Sequence, residues 1–72
     1  MKRKYTLHFD ESKNKWILKH NDTEKVVRAF NSKEHGTRAG VLRRILGRQG
    51  GTVMIRTKSG VLEEERNFRE GG

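Results

Sequence analysis

Apolar and polar residues alternate near the start of the chain, where Tyr5, Leu7 and Phe9 interleave with Lys4, Thr6 and His8. A period of two is the mark of a strand with one buried face, because successive side chains leave opposite sides of the backbone. Asp10-Glu11-Ser12-Lys13-Asn14 then supplies turn formers before a second apolar run, Trp16-Ile17-Leu18, so the first two strands are expected to form a hairpin. A second turn follows at Asn21-Asp22-Thr23. Residues 25–30, β-branched at Val26 and Val27, suit a third strand whose alternation is too brief to set its inward face.

From Asn31 the period lengthens. Ser32 suits a helix N-cap and Glu34 the first turn, while Ala39, Leu42, Ile45 and Leu46 recur at helical spacing with His35 on the same stripe. One amphipathic helix is therefore expected, with Lys33, Thr37, Arg44 and Arg48 on its outer side. Three glycines inside it, each costing up to about 1 kcal/mol relative to Ala, make it depend on packing against the sheet. Gly47-Arg48-Gln49-Gly50-Gly51 follows that helix rather than opening one, so it reads as a C-terminal stop and not as a phosphate cradle. Residues 52–58 alternate again, with Val53 and Ile55 on one side and Met54, Arg56 and Lys58 on the other. Ser59-Gly60 marks a tight turn, and Val61-Leu62 begins a return strand that runs to about Phe68. Arg69-Glu70-Gly71-Gly72 is expected to fray. The whole predicts one small α+β domain over residues 1–72: a single, mostly antiparallel sheet with one amphipathic helix packed on one face, in the order β-β-β-α-β-β.

Within that order, Trp16, Phe30-Asn31-Ser32-Lys33-Glu34, Gln49-Gly50, Val53-Met54-Ile55, Ser59-Gly60-Val61 and Arg66-Asn67-Phe68 form a recognisable series. Residues 16–68 thereby resemble the bacterial and archaeal family known as domain of unknown function 2188. His35-Gly36 stands where that family usually carries Glu-Ala. The resemblance implies a fold and no catalytic residues, since the family has no established activity. A fainter similarity, carried by Phe30-Asn31-Ser32-Lys33 before a helix, is to the arm-binding domains of phage-type tyrosine integrases. Those domains set a three-stranded sheet in a DNA groove, which implies a nucleic-acid partner and a phage or bacterial setting.

Composition narrows the chemistry. With no cysteine in 72 residues, disulfides, thiolate nucleophiles and cysteine-based metal centres are excluded. No apolar run approaches the roughly 20 residues that span a bilayer, and Met1-Lys2-Arg3-Lys4 leads into alternation rather than a signal core, so a cytoplasmic location without membrane contact is expected. His8, His20 and His35 fall on separate elements without metal-ligand spacing; Ser12, Ser32 and Ser59 have turn or cap explanations. Neither an enzyme nor a cofactor is expected.

Charge is the informative feature. The formal net charge is +8, and residues 1–62 alone carry +10, because Glu63, Glu64, Glu65 and Glu70 crowd the last ten positions. Such a balance attracts polyanions. If the aromatic and aliphatic residues pack under the helix, alternation sends Lys4, His8, Lys15, Lys19, Arg56 and Lys58 to the bare side of the sheet, with Arg28 joining them and Ile17 and Met54 among them. Arg44 and Arg48, four residues apart, offer a second route to successive phosphates. The expected partner is duplex nucleic acid, DNA before RNA, since only five aromatic residues exist and most are needed in the core. The alternative is a homodimer or an acidic protein partner, with the glutamate run forming a charge rim, masking the basic face or guarding an edge strand.

Overall fold

The computed structural model describes residues 3–71; Met1, Lys2 and Gly72, the last of these in the tail expected to fray, lie outside the described residues. The strands are β1 (Lys4–Asp10), β2 (Lys15–His20), β3 (Val26–Phe30), β4 (Gly51–Arg56) and β5 (Leu62–Phe68). They form one sheet in the order β3-β2-β1-β4-β5. Every neighbouring pair is antiparallel except β1 and β4, which are parallel. That exception has a cause in connectivity. The chain must leave β3 at one edge and re-enter the sheet beyond β1, and parallel strands need a crossover segment long enough to return.

The crossover carries the helical layer. Where one amphipathic helix was expected there are two, α1 (Lys33–Thr37) and α2 (Val41–Leu46), followed by a single 3₁₀ turn at Gly47–Gln49. Ser32 caps α1, its hydroxyl accepting from the His35 N–H at 3.2 Å. After Thr37 the backbone opens, with Arg38 extended at φ −57° and ψ 144°, and Gly40 sits at φ +86°, where a side chain would be strained. The break resets the helical phase. His35 and Ala39, expected on the apolar stripe, are consequently exposed, whereas Leu42 and Leu46 of α2 are buried.

Strand parity follows the alternation in the sequence. Tyr5, Leu7 and Phe9 stand beside His20, Leu18 and Trp16 of β2, and Tyr5 and Leu7 stand beside Val53 and Ile55 of β4. All of these face the helices. With Phe30, Leu42 and Leu46, all but His20 and the partly buried Phe9 form the core, in which Leu7, Leu18, Val53 and Ile55 are fully enclosed. Gly36 lies buried against Phe30; a Cβ added there would come 2.9 Å from the ring. Close approach of the helix backbone to an aromatic ring thus accounts for glycine in the first helix.

Both outer strands carry a bulge, with Val27 extra on β3 and Glu63 extra on β5. At the chain's end the Gly71 N–H donates to the Arg48 carbonyl at 2.5 Å, so the described part of the tail turns back toward the 3₁₀ turn.

Because Ile55 is fully enclosed, Ile55→Ala should lower the unfolding free energy by about 2–5 kcal/mol in urea denaturation, a large share of the ~5 kcal/mol a small domain has in total. Gly36→Ala should fail to gain the roughly 1 kcal/mol that helix propensity alone offers, since the Phe30 ring must give way.

Candidate nucleic-acid interface

The face of the sheet opposite the helices is formed by the other half of each strand. Cross-strand register sets Thr6 beside Lys19 and Met54, His8 beside Ile17, Asp10 beside Lys15, and Lys4 beside Thr52. Ile17 also neighbours Ala29, Met54 neighbours Glu65, and Thr52 neighbours Asn67. No helix or strand among the described residues is packed over this face. Two polar ties brace its middle: the Thr6 hydroxyl donates to Asn21 Oδ1 at 2.7 Å and the Thr52 hydroxyl to Asn67 Oδ1 at 2.8 Å. Ile17 is only 3% exposed although it lies outside the core. Lys15 and Lys19 flank it on the same strand, and their aliphatic stems can cover it while the ammonium groups stay in water.

The cations singled out in the sequence separate into two groups. Lys4, Lys15, Lys19 and Arg56 share the open face, Lys15 donating to Asn31 Oδ1 at 2.6 Å and Lys19 lying 3.4 Å from the exposed Glu24. Lys58 belongs not to a strand but to the β4–β5 turn, with its ammonium 4.6 Å from the centre of the Phe9 ring. Arg28, expected on the same side, is opposite Leu18 and so projects toward the helical layer. Its side follows from Phe30, two residues on, which faces the core opposite Trp16; plain alternation turns Arg28 the same way, and the bulge at Val27 sets only Val26 on the other side. Arg44 and Arg48 are exposed but occupy α2 and the 3₁₀ turn respectively, so the regular four-residue spacing along one helix does not hold. Ile17, expected among the charges as an apolar contact, is buried and so offers none; Met54 is half-buried.

One concavity interrupts the open face. Pairing between β1 and β4 stops at Leu7 and Ile55, while β1 continues along β2 to Asp10 and β4 runs into its turn. The strands part there and leave a cleft of about 490 Å³. Its cations are Lys19, Arg56 and Lys58, its hydroxyls Thr6, Thr57 and Ser59, and its remaining walls include His8, Phe9, Glu11 and Gly60. Arg56 is steadied by Nη1 donating to the Gly60 carbonyl at 3.2 Å. Thr57 and Ser59 share a hydroxyl bond of 3.0 Å, and Thr57 Oγ1 also accepts the Val61 N–H. The Ser59 hydroxyl is therefore engaged with another hydroxyl rather than with a histidine or carboxylate that could activate it. Thr57, Ser59 and Phe9 were not apparent as site residues from the sequence, because turn chemistry and core packing explained each of them separately.

The acidic run lies on β5, an edge strand. Glu63 pairs with Lys33, and Glu64 takes Arg66 Nε at 2.8 Å, while Arg66 Nη1 donates to the Thr37 carbonyl at the end of α1. Glu64 stands beside Ile55 on the helix side, and only Glu65 stands beside Met54 on the open side. Hydrogen bonding from Arg66, aided by the charges of Arg66 and Lys33, holds the Glu64 carboxyl below its ordinary range. Asp10 is lowered in the same way by the Ser12 hydroxyl and by the Ser12 and Lys13 N–H groups, which fix the β1–β2 turn beside the cleft. No family model matches the chain, and no curated protein or solved structure matches it either.

Both carboxyls are depressed in the folded state, so each contributes stability above its unfolded value and loses that contribution as pH falls through the folded one. The melting temperature should hold from neutral pH to about 5 and drop below about 4. Asp10→Asn should flatten part of that acid limb; identical limbs in variant and wild type would contradict the turn's role.

Proposed function

We propose that this chain is a small, non-enzymatic module that binds duplex nucleic acid, DNA in preference to RNA, through the open face of its sheet. The observation that carries this reading is that the open face presents Lys4, Lys15, Lys19 and Arg56, with Lys58 at its end, against Asp10 and Glu65 on its strands and Glu11 and Glu24 at its margins. Of these acids, Asp10 is committed to its turn and the exposed Glu24 lies 3.4 Å from Lys19. Lysines on strands supply point charges for phosphates, and Arg56 supplies a fork of N–H donors that matches a phosphate or a guanine edge. Aromatic placement supports a duplex over a single strand. Tyr5, Trp16 and Phe30 are buried beneath the helices, Phe68 packs against the core, and Phe9 lies under Lys58 at the cleft wall, so these five rings are not arrayed as a stacking platform for unpaired bases. The integrase-like pattern before the helix points to the same partner.

Affinity of this kind is largely electrostatic. Neutralising about five phosphates gives a slope near −4.5 in log K against log salt, so binding should weaken by about 500-fold between 50 and 200 mM salt. Fluorescence anisotropy with a labelled duplex measures it. Lys19→Ala and Arg56→Ala should each reduce the slope by roughly 0.9 and weaken binding more than Lys33→Ala, Arg44→Ala or Arg48→Ala in the helical layer. Absence of binding at 50 mM salt, or greater losses from the helical-layer variants, would refute the sheet-face interface.

A second reading has its own observation. β3 is an edge strand with Val26 53% and Val27 41% exposed, and Arg28 is its only charge. Edges of that kind invite pairing with another strand, whereas β5 is guarded by its glutamates. Self-association through β3 would give a dimer that weakens on Val27→Lys. Sedimentation at rising concentration reads it directly, and a monomer throughout would remove this reading.

A further inference from the structure

The cleft at the end of the open face has a more specific composition than a basic surface needs. Three cations line it against a single carboxylate, Glu11, so its balance suits an anion carrying more than one charge. Its donors are also arranged around the ends of two strands rather than along one. Arg56 is held by the Gly60 carbonyl through one nitrogen, leaving further N–H donors of the guanidinium fork uncommitted to that bond. Lys58 is fixed over Phe9, whose ring in turn packs against Trp16 at 5.6 Å between centroids. In the Thr57–Ser59 pair one hydroxyl proton is used between the two oxygens and the other remains to be donated. A guanidinium, an ammonium and a hydroxyl converging on one concavity is the donor set of a phosphate site. At about 490 Å³ the space falls within the roughly 300–1,000 Å³ of small-ligand sites, so it has room for more than a bare oxyanion.

We propose that this cleft is a phosphate-binding subsite, in which Arg56, Lys58 and the Ser59–Thr57 hydroxyl pair hold the phosphate group of a nucleotide unit. Lys19, from the neighbouring strand, neutralises it from the far side, and its exposed partner Glu24 is a weak competitor at 3.4 Å. The subsite rests on the nucleic-acid reading for its biological ligand: it gives the otherwise uniform face one fixed point, setting where along the backbone the sheet comes to rest. The same chemistry would accept an internal phosphodiester, a terminal phosphate or a free mononucleotide, and separate measurements distinguish them.

The full chain, isotopically labelled, is titrated with inorganic phosphate and with a nucleoside 5′-monophosphate at constant ionic strength, while amide shifts are followed. Shifts concentrated at residues 56–60 and at His8 and Lys19 are expected, with the nucleotide binding more tightly than phosphate alone. Arg56→Ala with Lys58→Ala should raise the dissociation constant for phosphate by about tenfold or more, the loss expected for two charge-assisted contacts. Lys58→Ala alone, at an exposed turn position, keeps the test decisive if the double variant is poorly folded; Arg43→Ala should leave the shifts intact. Shifts spread evenly over the helical-layer arginines, no shifts at millimolar phosphate, or shifts unchanged by Lys58→Ala would overturn the subsite. Duplexes with a 5′-phosphate and a 5′-hydroxyl are then compared. A preference for the phosphorylated end assigns the cleft to terminal phosphates, and equal binding that is weakened by Lys58→Ala assigns it to the internal backbone. Wild-type protein that takes mononucleotide locally yet ignores duplex would uphold the subsite and sink the sheet-face reading, whereas duplex binding untouched by either variant would do the reverse.

Discussion

One layer of helix can cover only one face of a sheet, and every other feature of this molecule is arranged around that constraint. The crossover from β3 to β4 lays α1 and α2 over the side on which Leu7, Leu18, Val53 and Ile55 point. Burial of these groups is the main favourable term available to so small a chain. Alternation then leaves the remaining side chains of β1, β2 and β4 on a surface over which no helix or strand among the described residues is packed. What stands on that surface is not a second core. It is a set of lysines, an arginine and threonines, with a buried Ile17 between Lys15 and Lys19 on β2.

The parallel pairing of β1 with β4 links this packing to the candidate site. Because β4 joins the sheet beside β1 and runs in the same direction, the C-terminal ends of the two strands lie at the same end of the sheet. Their pairing ends at Leu7 and Ile55, and the β4–β5 turn rises where β1 is still paired with β2. The cleft is thus a consequence of topology. Residues as distant in sequence as His8 and Ser59 come to line it together. The edges of the sheet complete the division: β5 carries glutamates that are largely engaged by Lys33 and Arg66, while β3 is apolar and bulged.

Much of the fold was legible because β1 alternates strictly, β2 and β4 carry short apolar runs, and their turns carry strong formers such as Asp10-Glu11-Ser12 and Ser59-Gly60. The order of elements and the inward direction of Tyr5, Leu7, Trp16, Leu18, Val53 and Ile55 follow from that pattern alone. The helix was harder to read. Leu42, Ile45 and Leu46 keep helical spacing with Ala39 across a break at residues 38–40, so periodicity concealed a discontinuity that Gly40 permits. Arg28 was misassigned because β3 is too short for alternation to set its inward face, which pairing of Phe30 with Trp16 and of Arg28 with Leu18 decides. Of the candidate site, Lys4, Lys15, Lys19 and Arg56 were readable from alternation, whereas the cleft was not, since it depends on which strand β4 chooses as neighbour.

The central claim is that one face of the sheet, and not the helical layer, meets nucleic acid. Chemical labelling of lysines with and without a saturating duplex, read by mass spectrometry, tests it at single residues. Protection of Lys4, Lys15, Lys19 and Lys58 with Lys33 of α1 left reactive is the result this account predicts. Protection confined to Lys33, or uniform labelling of all five in both states, would contradict it.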